Sequence, residues 1–226
     1  MRFGIILAVS GLLAADAAHA EDKLYCNSIS DDEDLSDISL GVITGRKVNF
    51  LANEYEHAGC PSADPSCKKP AFVRAKDKVV YDTDVVAGGY VCAAFVDGRG
   101  NETDGWLPAA SIKPVTAAPH WIGTWKRDTS AEIDITLKAH NKAEVSGSAT
   151  HGTGAATHEG SIGGVIDRKQ AVQGFATDGD KQVAYEAAGE YDCAVKLRQL
   201  GRYLFVADNR NCGGANVSFS GVYVKR

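Results

Sequence analysis

The chain has one methionine, the first residue, and only six prolines in 226 residues. Beyond residue 20 no apolar run reaches the roughly 18 residues that a membrane-spanning helix needs. Close Cys-x-x-Cys or Cys/His clusters are missing, which argues against a structural zinc site. There is no Gly-x-Ser-x-Gly elbow and no His-Glu-x-x-His, so neither an α/β-hydrolase nucleophile nor a zinc-protease helix is expected. The Ser-His-Gly-Cys pattern of an L,D-transpeptidase is absent. A basic stripe is absent too: 24 Lys and Arg face 29 Asp and Glu, a net charge of -5, which argues against nucleic acid or an anionic membrane as partner. These absences lead to the expectation of a non-catalytic protein without cofactor or metal.

What is present begins with an export signal. Arg2 gives a basic start, residues 3–15 are apolar, and Ala18-His19-Ala20 is a small-x-small cleavage site, so residues 1–20 read as a signal peptide. Cleavage removes one cation and one anion, Arg2 and Asp16, leaving the net charge at -5. The first cysteine lies past the cleavage point, after Tyr25, so a lipid anchor is not expected. The mature chain is expected to be periplasmic or secreted, with no membrane insertion.

All six cysteines lie in that mature chain, and an even count in an exported protein reads as disulfides. Cys193 and Cys212 are expected to pair, because both lie in the second half and nothing else there can join them. Cys60 and Cys67 sit seven apart around two prolines and are proposed to close a small ring, leaving Cys26 for Cys92. Spacing alone leaves three connectivities open for those four.

Glycine numbers 24, and Val, Thr and Tyr recur in short alternating runs, which favours strands and turns over helices. Asp31-Asp32-Glu33-Asp34 lacks the alternate spacing, glycine and distal glutamate of an EF-hand and reads as a solvated loop. Strands are expected at 40–43, 47–51, 71–74, 78–81 and 90–96, the last apolar enough to be buried on both faces. Asp97-Gly98-Arg99-Gly100-Asn101 has hairpin-turn chemistry, and Gly105-Trp106-Leu107-Pro108 closes the unit, with one 3-10 turn at 109–112. Residues 115–119 form a Pro/Ala spacer. A second unit opens at Trp121-Ile122-Gly123-Thr124-Trp125. Residues 132–138 and 143–149 alternate clearly, 151–164 reads as a loop entering a weak strand, and further strands are expected at 171–176, 181–185, 192–198, 203–207 and 217–224. Eight short strands with regular turn signals suggest an up-and-down antiparallel barrel, which closes its own edges.

Val48-Asn49-Phe50, Val79-Val80, Tyr90-Val91-Cys92 and Gly105-Trp106-Leu107-Pro108 together resemble the bacterial SH3-like (SH3b) domain over residues 46–114. The resemblance implies a small barrel whose loops and aromatic edge bind extended peptides or wall fragments. Phe50-Leu51 departs from the family's first-strand turn. Gly123-Thr124-Trp125 resembles the Gly-x-Trp start of lipocalin- and avidin-type barrels, where the Trp plugs one end. The stretch 208–223 resembles a group of uncharacterised exported bacterial proteins, which carries no activity with it.

The fold expected is thus all-β: a segment at 21–45 packed on an SH3-like barrel at 46–114, a linker at 115–119, and a second barrel at 120–226. Tyr81, Tyr90 and Trp106 are the aromatics able to line a groove, and Tyr90 and Trp106 are the expected partner-binding residues, for a cell-wall fragment or an envelope protein. Trp121 and Trp125 are expected to plug the second barrel. His151 and His158 flank a glycine-rich stretch beside Glu159 and read as solvated rather than metal-binding. Two rival functions are an apolar-ligand carrier, suggested by the small inner residues Ala143, Val145, Gly147 and Ala149, and an inhibitor of lysozyme or another wall hydrolase, for which the Ser-Gly-x-Arg-Tyr loop is missing.

Overall fold

The computed structural model describes residues 25–27, 29, 35–116, 118–179 and 181–226. The expected signal peptide at 1–20 and the acidic run at 31–34 lie outside the described residues. Within them the chain is all-β, with sixteen strands in two antiparallel sheets and short 3-10 turns, but no α-helix.

The first sheet holds β1 (Ile38–Ile43), β2 (Lys47–Leu51), β3 (Lys68–Arg74), β4 (Lys78–Ala87), β5 (Tyr90–Val96), β6 (Glu102–Pro108) and β7 (Ile112–Pro114), ordered β3-β2-β6-β5-β4-β1-β7. β1, where a strand was expected at 40–43 within the segment 21–45, pairs with both β4 and β7 and so is integral to the sheet. β5 shows why its sequence does not alternate in polarity. Cys92, Ala94 and Val96 face one apolar cluster, while Ala93 and Phe95 face another on the opposite side. The β5–β6 turn is held by Asp97, whose carboxylate accepts from Asn101 Nδ2 at 2.8 Å and from Arg99 N at 2.7 Å. Those hydrogen bonds, that of Asn101 first, hold its carboxyl below the usual aspartate value.

The second sheet holds β8 (Gly123–Lys126), β9 (Ala131–Leu137), β10 (Lys142–His151), β11 (His158–Asp167), β12 (Val172–Asp178), β13 (Lys181–Val183), β14 (Cys193–Leu200), β15 (Tyr203–Asp208) and β16 (Gly221–Lys225), ordered β11-β10-β9-β8-β16-β15-β14-β12-β13. Pairing of β16 with β8 brings the end of this unit back to its start. The remaining seam, between β11 and the β12–β13 hairpin, is stitched by side-chain amides rather than a backbone ladder. Gln182 accepts from Val165 N at 2.7 Å and donates to Val165 O at 3.0 Å, and Gln173 accepts from Asp167 N at 2.9 Å. The sheet is therefore a nearly closed barrel.

β11 is ten residues long, where the sequence suggested a loop and a weak strand. Its inward positions are glycine where neighbours fill the space: a Cβ on Gly164 would lie 2.7 Å from the Phe175 ring, and one on Gly160 2.4 Å from Cys212 O. Close packing thus removed the apolar alternation that would have marked the strand.

Three buried clusters occur among the described residues. One, with Ile43, Phe50, Val73, Val79, Ala93 and Leu107, fills the first unit. Another fills the barrel, where Trp121, Trp125, Phe175, Phe219 and Tyr223 are all at most 1% exposed. The third joins the two units: Trp106, Cys92 and Leu40 of the first sheet share a core with Tyr203, Phe205, Ala207, Val222 and Val224 of the barrel wall. β15 is consequently buried along its whole length. Tyr203 also donates its hydroxyl to Val96 O at 2.7 Å, and Arg198 donates to Ser36 O at 2.8 Å. The joining segment is fastened at both ends, by Val115 N to Leu40 O at 2.8 Å and His120 N to Gln199 Oε1 at 2.8 Å. The linker expected at 115–119 thus runs between two sheets that share a core.

The disulfides are Cys26–Cys92, Cys60–Cys67 and Cys193–Cys212, with no free cysteine among the described residues. Three such bonds suit an oxidising, non-cytoplasmic environment. No described helix is long and apolar enough to cross a membrane.

Candidate binding cleft beside Tyr90

Tyr90 opens β5, opposite Pro108 at the end of β6. The two line a cleft of about 290 Å³ with Val48, Asn49, Ser62 and Lys68. The small disulfide ring supplies the wall at Ser62, and Asp64 stiffens that ring by accepting from Ser66 N at 2.8 Å and Ser66 Oγ at 2.6 Å. Asn49 fixes the floor by donating to Lys69 O at 3.0 Å. Tyr90 is half-buried against the shared core, and its hydroxyl has no partner among the described residues. An aromatic ring with a buried body and a free polar tip, beside a proline and an amide, offers both stacking area and hydrogen bonding. Lys47 and Lys68 add positive charge at the rim.

Trp106 does not share that role. It lies on the same outer face, paired with Cys92, but is fully buried. The Cys26–Cys92 bond draws residues 25–27 over it, and Asn53 locks the layer. Asn53 Oδ1 accepts from Trp106 Nε1 and from Cys26 N, both at 2.8 Å, and Nδ2 donates to Cys26 O at 3.0 Å. The expectation that Trp106 touches a partner is corrected: it is a core residue with a satisfied indole. Tyr81 is likewise packed against the first unit's inner cluster.

Two aromatics that sequence reading passed over stand on the surface instead. Tyr25 and Tyr55 are 45% and 61% exposed, with ring centroids 5.5 Å apart, and Tyr55 accepts from Asn53 Nδ2 at 3.3 Å.

The second barrel holds little room where small residues suggested a ligand cavity. Ala143, Val145 and Ala149 do face inward, but a Cβ on Gly147 would lie 2.8 Å from Ile162 and 3.1 Å from Ile133. Trp125 fills the interior and donates to Trp121 O at 2.8 Å. His151 and His158 are cross-strand neighbours, both exposed, and no group of three or more metal-binding side chains occurs among the described residues.

Comparison with family models, curated proteins and solved structures returned no match.

Proposed function

We propose that the protein is a non-catalytic, exported binding protein of the cell envelope, periplasmic or secreted, which recognises a cell-wall fragment or an envelope protein through the cleft beside Tyr90. The observation that carries this reading is the cleft itself: a half-buried tyrosine with a free hydroxyl, a proline and an ordered asparagine, set on a sheet braced by two disulfides. The resemblance of residues 46–114 to SH3b domains supports it, since such domains bind extended peptides or wall fragments at an aromatic edge. The signal-like stretch at 1–20 and the three disulfides support a compartment where those partners occur.

The test is retention on insoluble peptidoglycan and on an immobilised envelope-protein extract, comparing wild type with Tyr90→Ala. Stacking lost at a binding hot spot costs about 1–3 kcal/mol, roughly a 5- to 150-fold fall in affinity. Retention unchanged in a folded Tyr90→Ala protein removes the site; no retention of wild type on either surface removes the function.

A further inference from the structure

At one end of the barrel lies a second cleft, of about 250 Å³, that shares no residue with the first. Pro119, His120, Trp121 and Ile122 form one side as the chain approaches β8. Arg168, from the β11–β12 turn, and Lys225, at the end of β16, form the other. Every polar side chain lining it is a hydrogen-bond donor or a base, and no carboxylate does so.

Two of those donors are buried and unused. Trp121 is 1% exposed, and its Nε1 has no acceptor among the described residues; the Nε of Arg168 is in the same state. The other two indoles show what is normal in this molecule: Trp106 donates to Asn53 and Trp125 to the Trp121 carbonyl, each at 2.8 Å. A buried N–H deprived of an acceptor forfeits its hydration, so each such group in a folded protein calls for an explanation.

Among the described residues the charges around the cleft have no carboxylate partner either. Arg168 and Lys225 form no ion pair among the described residues, and Asp167, the neighbouring carboxylate, is turned to Lys142 at 3.4 Å. Lys225 is brought in by a specific backbone feature. Gly123 has a φ of +137°, and a Cβ there would lie 2.7 Å from Lys225 Cε, so glycine lets the lysine lie across the strand, with its ammonium 5.4 Å from the Trp125 ring.

We infer that this cleft binds a small soluble oxyanion, the carboxylate or phosphate group of a ligand, whose oxygens accept from Trp121 Nε1–H and Arg168 Nε–H and whose charge is met by Arg168 and Lys225. A guanidinium beside an oriented N–H suits planar or tetrahedral oxyanions, and the low-dielectric surroundings strengthen each bond. The overall negative charge of the chain does not oppose this, because screening limits distant charges while the local donors act at contact.

The indole N–H groups give a direct readout. In 15N–1H spectra of the full mature protein, titration with inorganic phosphate or with acetate is expected to move the Trp121 indole signal saturably. That signal is assigned by Trp121→Phe, while the Trp106 and Trp125 signals hold still. Sodium chloride at matched ionic strength should leave all three in place, and the two anions compared show whether phosphate or carboxylate is preferred. Arg168→Gln and Lys225→Gln, both at solvent-accessible positions, should each weaken the saturable shift about tenfold, the loss of one charge-assisted contact. A Trp121 signal that does not move, that moves equally with chloride, or that titrates unchanged in both variants overturns the inference. None of these outcomes bears on the Tyr90 cleft.

Discussion

Phe205→Ala is the sharpest probe of the shared core. Phe205 is fully buried, and it points from β15 away from the barrel interior into the cluster formed with the first sheet. Leu204 and Val206 on the same strand belong to the barrel interior and are untouched by the change. Truncating a buried phenylalanine costs about 3–5 kcal/mol, from lost burial and from the cavity left behind. That is a large share of the roughly 5–15 kcal/mol by which a folded protein is stable. Because the cavity opens between the two units, the loss must be felt by both. The assay is native-state hydrogen exchange, read separately at the slowest amides of β5–β6 and of β14–β16. Both sets are expected to lose protection by the same free energy, and urea unfolding should remain a single transition at a lower midpoint. If the β5–β6 amides keep their full protection while those of β14–β16 lose theirs, the units are energetically separate and the shared-core account is wrong.

Other expectations follow from the same geometry. Trp106→Phe leaves the ring's apolar body but removes the bond to Asn53, so it should cost about 1–3 kcal/mol in urea unfolding while leaving partner retention unchanged in the folded protein. Replacing both Cys193 and Cys212 by serine opens a closure spanning 19 residues and should cost on the order of 3 kcal/mol by the same assay; a midpoint unchanged from wild type contradicts this. Gly164→Ala drives a methyl into the Phe175 ring and should lower stability by about 1–3 kcal/mol, whereas Gly163→Ala, next to it and facing open space, should cost far less. Burial raises the Tyr203 hydroxyl above the ordinary phenol value of 10.0 and raises that of Tyr223 as well. The folded chain therefore holds these protons more tightly than the unfolded one. Stability is full below about pH 10 and falls as pH rises through the folded values, and Tyr203→Phe should flatten that alkaline slope.

The strands that were legible from sequence were those whose pattern reports burial directly. β5 announced itself as an apolar run buried on both faces and spans 90–96 as expected. β9 and β10 showed clean alternation, with inward small residues on β10 as read. β11 was obscured because Phe175 and Cys212 demand glycine opposite them, and glycine carries no polarity signal. The expected strand at 217–224 begins only at Gly221, because Asp208 captures the preceding loop, accepting from Ser218 Oγ at 2.6 Å and from Ser220 N at 3.0 Å. The disulfides were readable by counting and elimination, and all three expected pairs are present. Their consequence was not readable: Cys26–Cys92 converts Trp106 from a surface candidate into core, and no local pattern around Trp106 encodes a cover supplied from residues 25–27. The union of the two sheets was hidden for a similar reason. The unbroken apolar run of β15 says that both its faces are covered, but not by what.

The most direct test of the proposed function is to map binding at residue level. Soluble peptidoglycan fragments titrated into the 15N-labelled mature protein should shift backbone amides around the Tyr90 cleft, at Asn49, Ser62, Ala63, Lys68 and Tyr90, with saturation that Tyr90→Ala weakens roughly fivefold or more. Should an envelope protein be the partner, the same amides should respond to it instead. Shifts that gather elsewhere, for example at Tyr25 and Tyr55, or a cleft that stays silent to every partner the protein retains, would contradict the account.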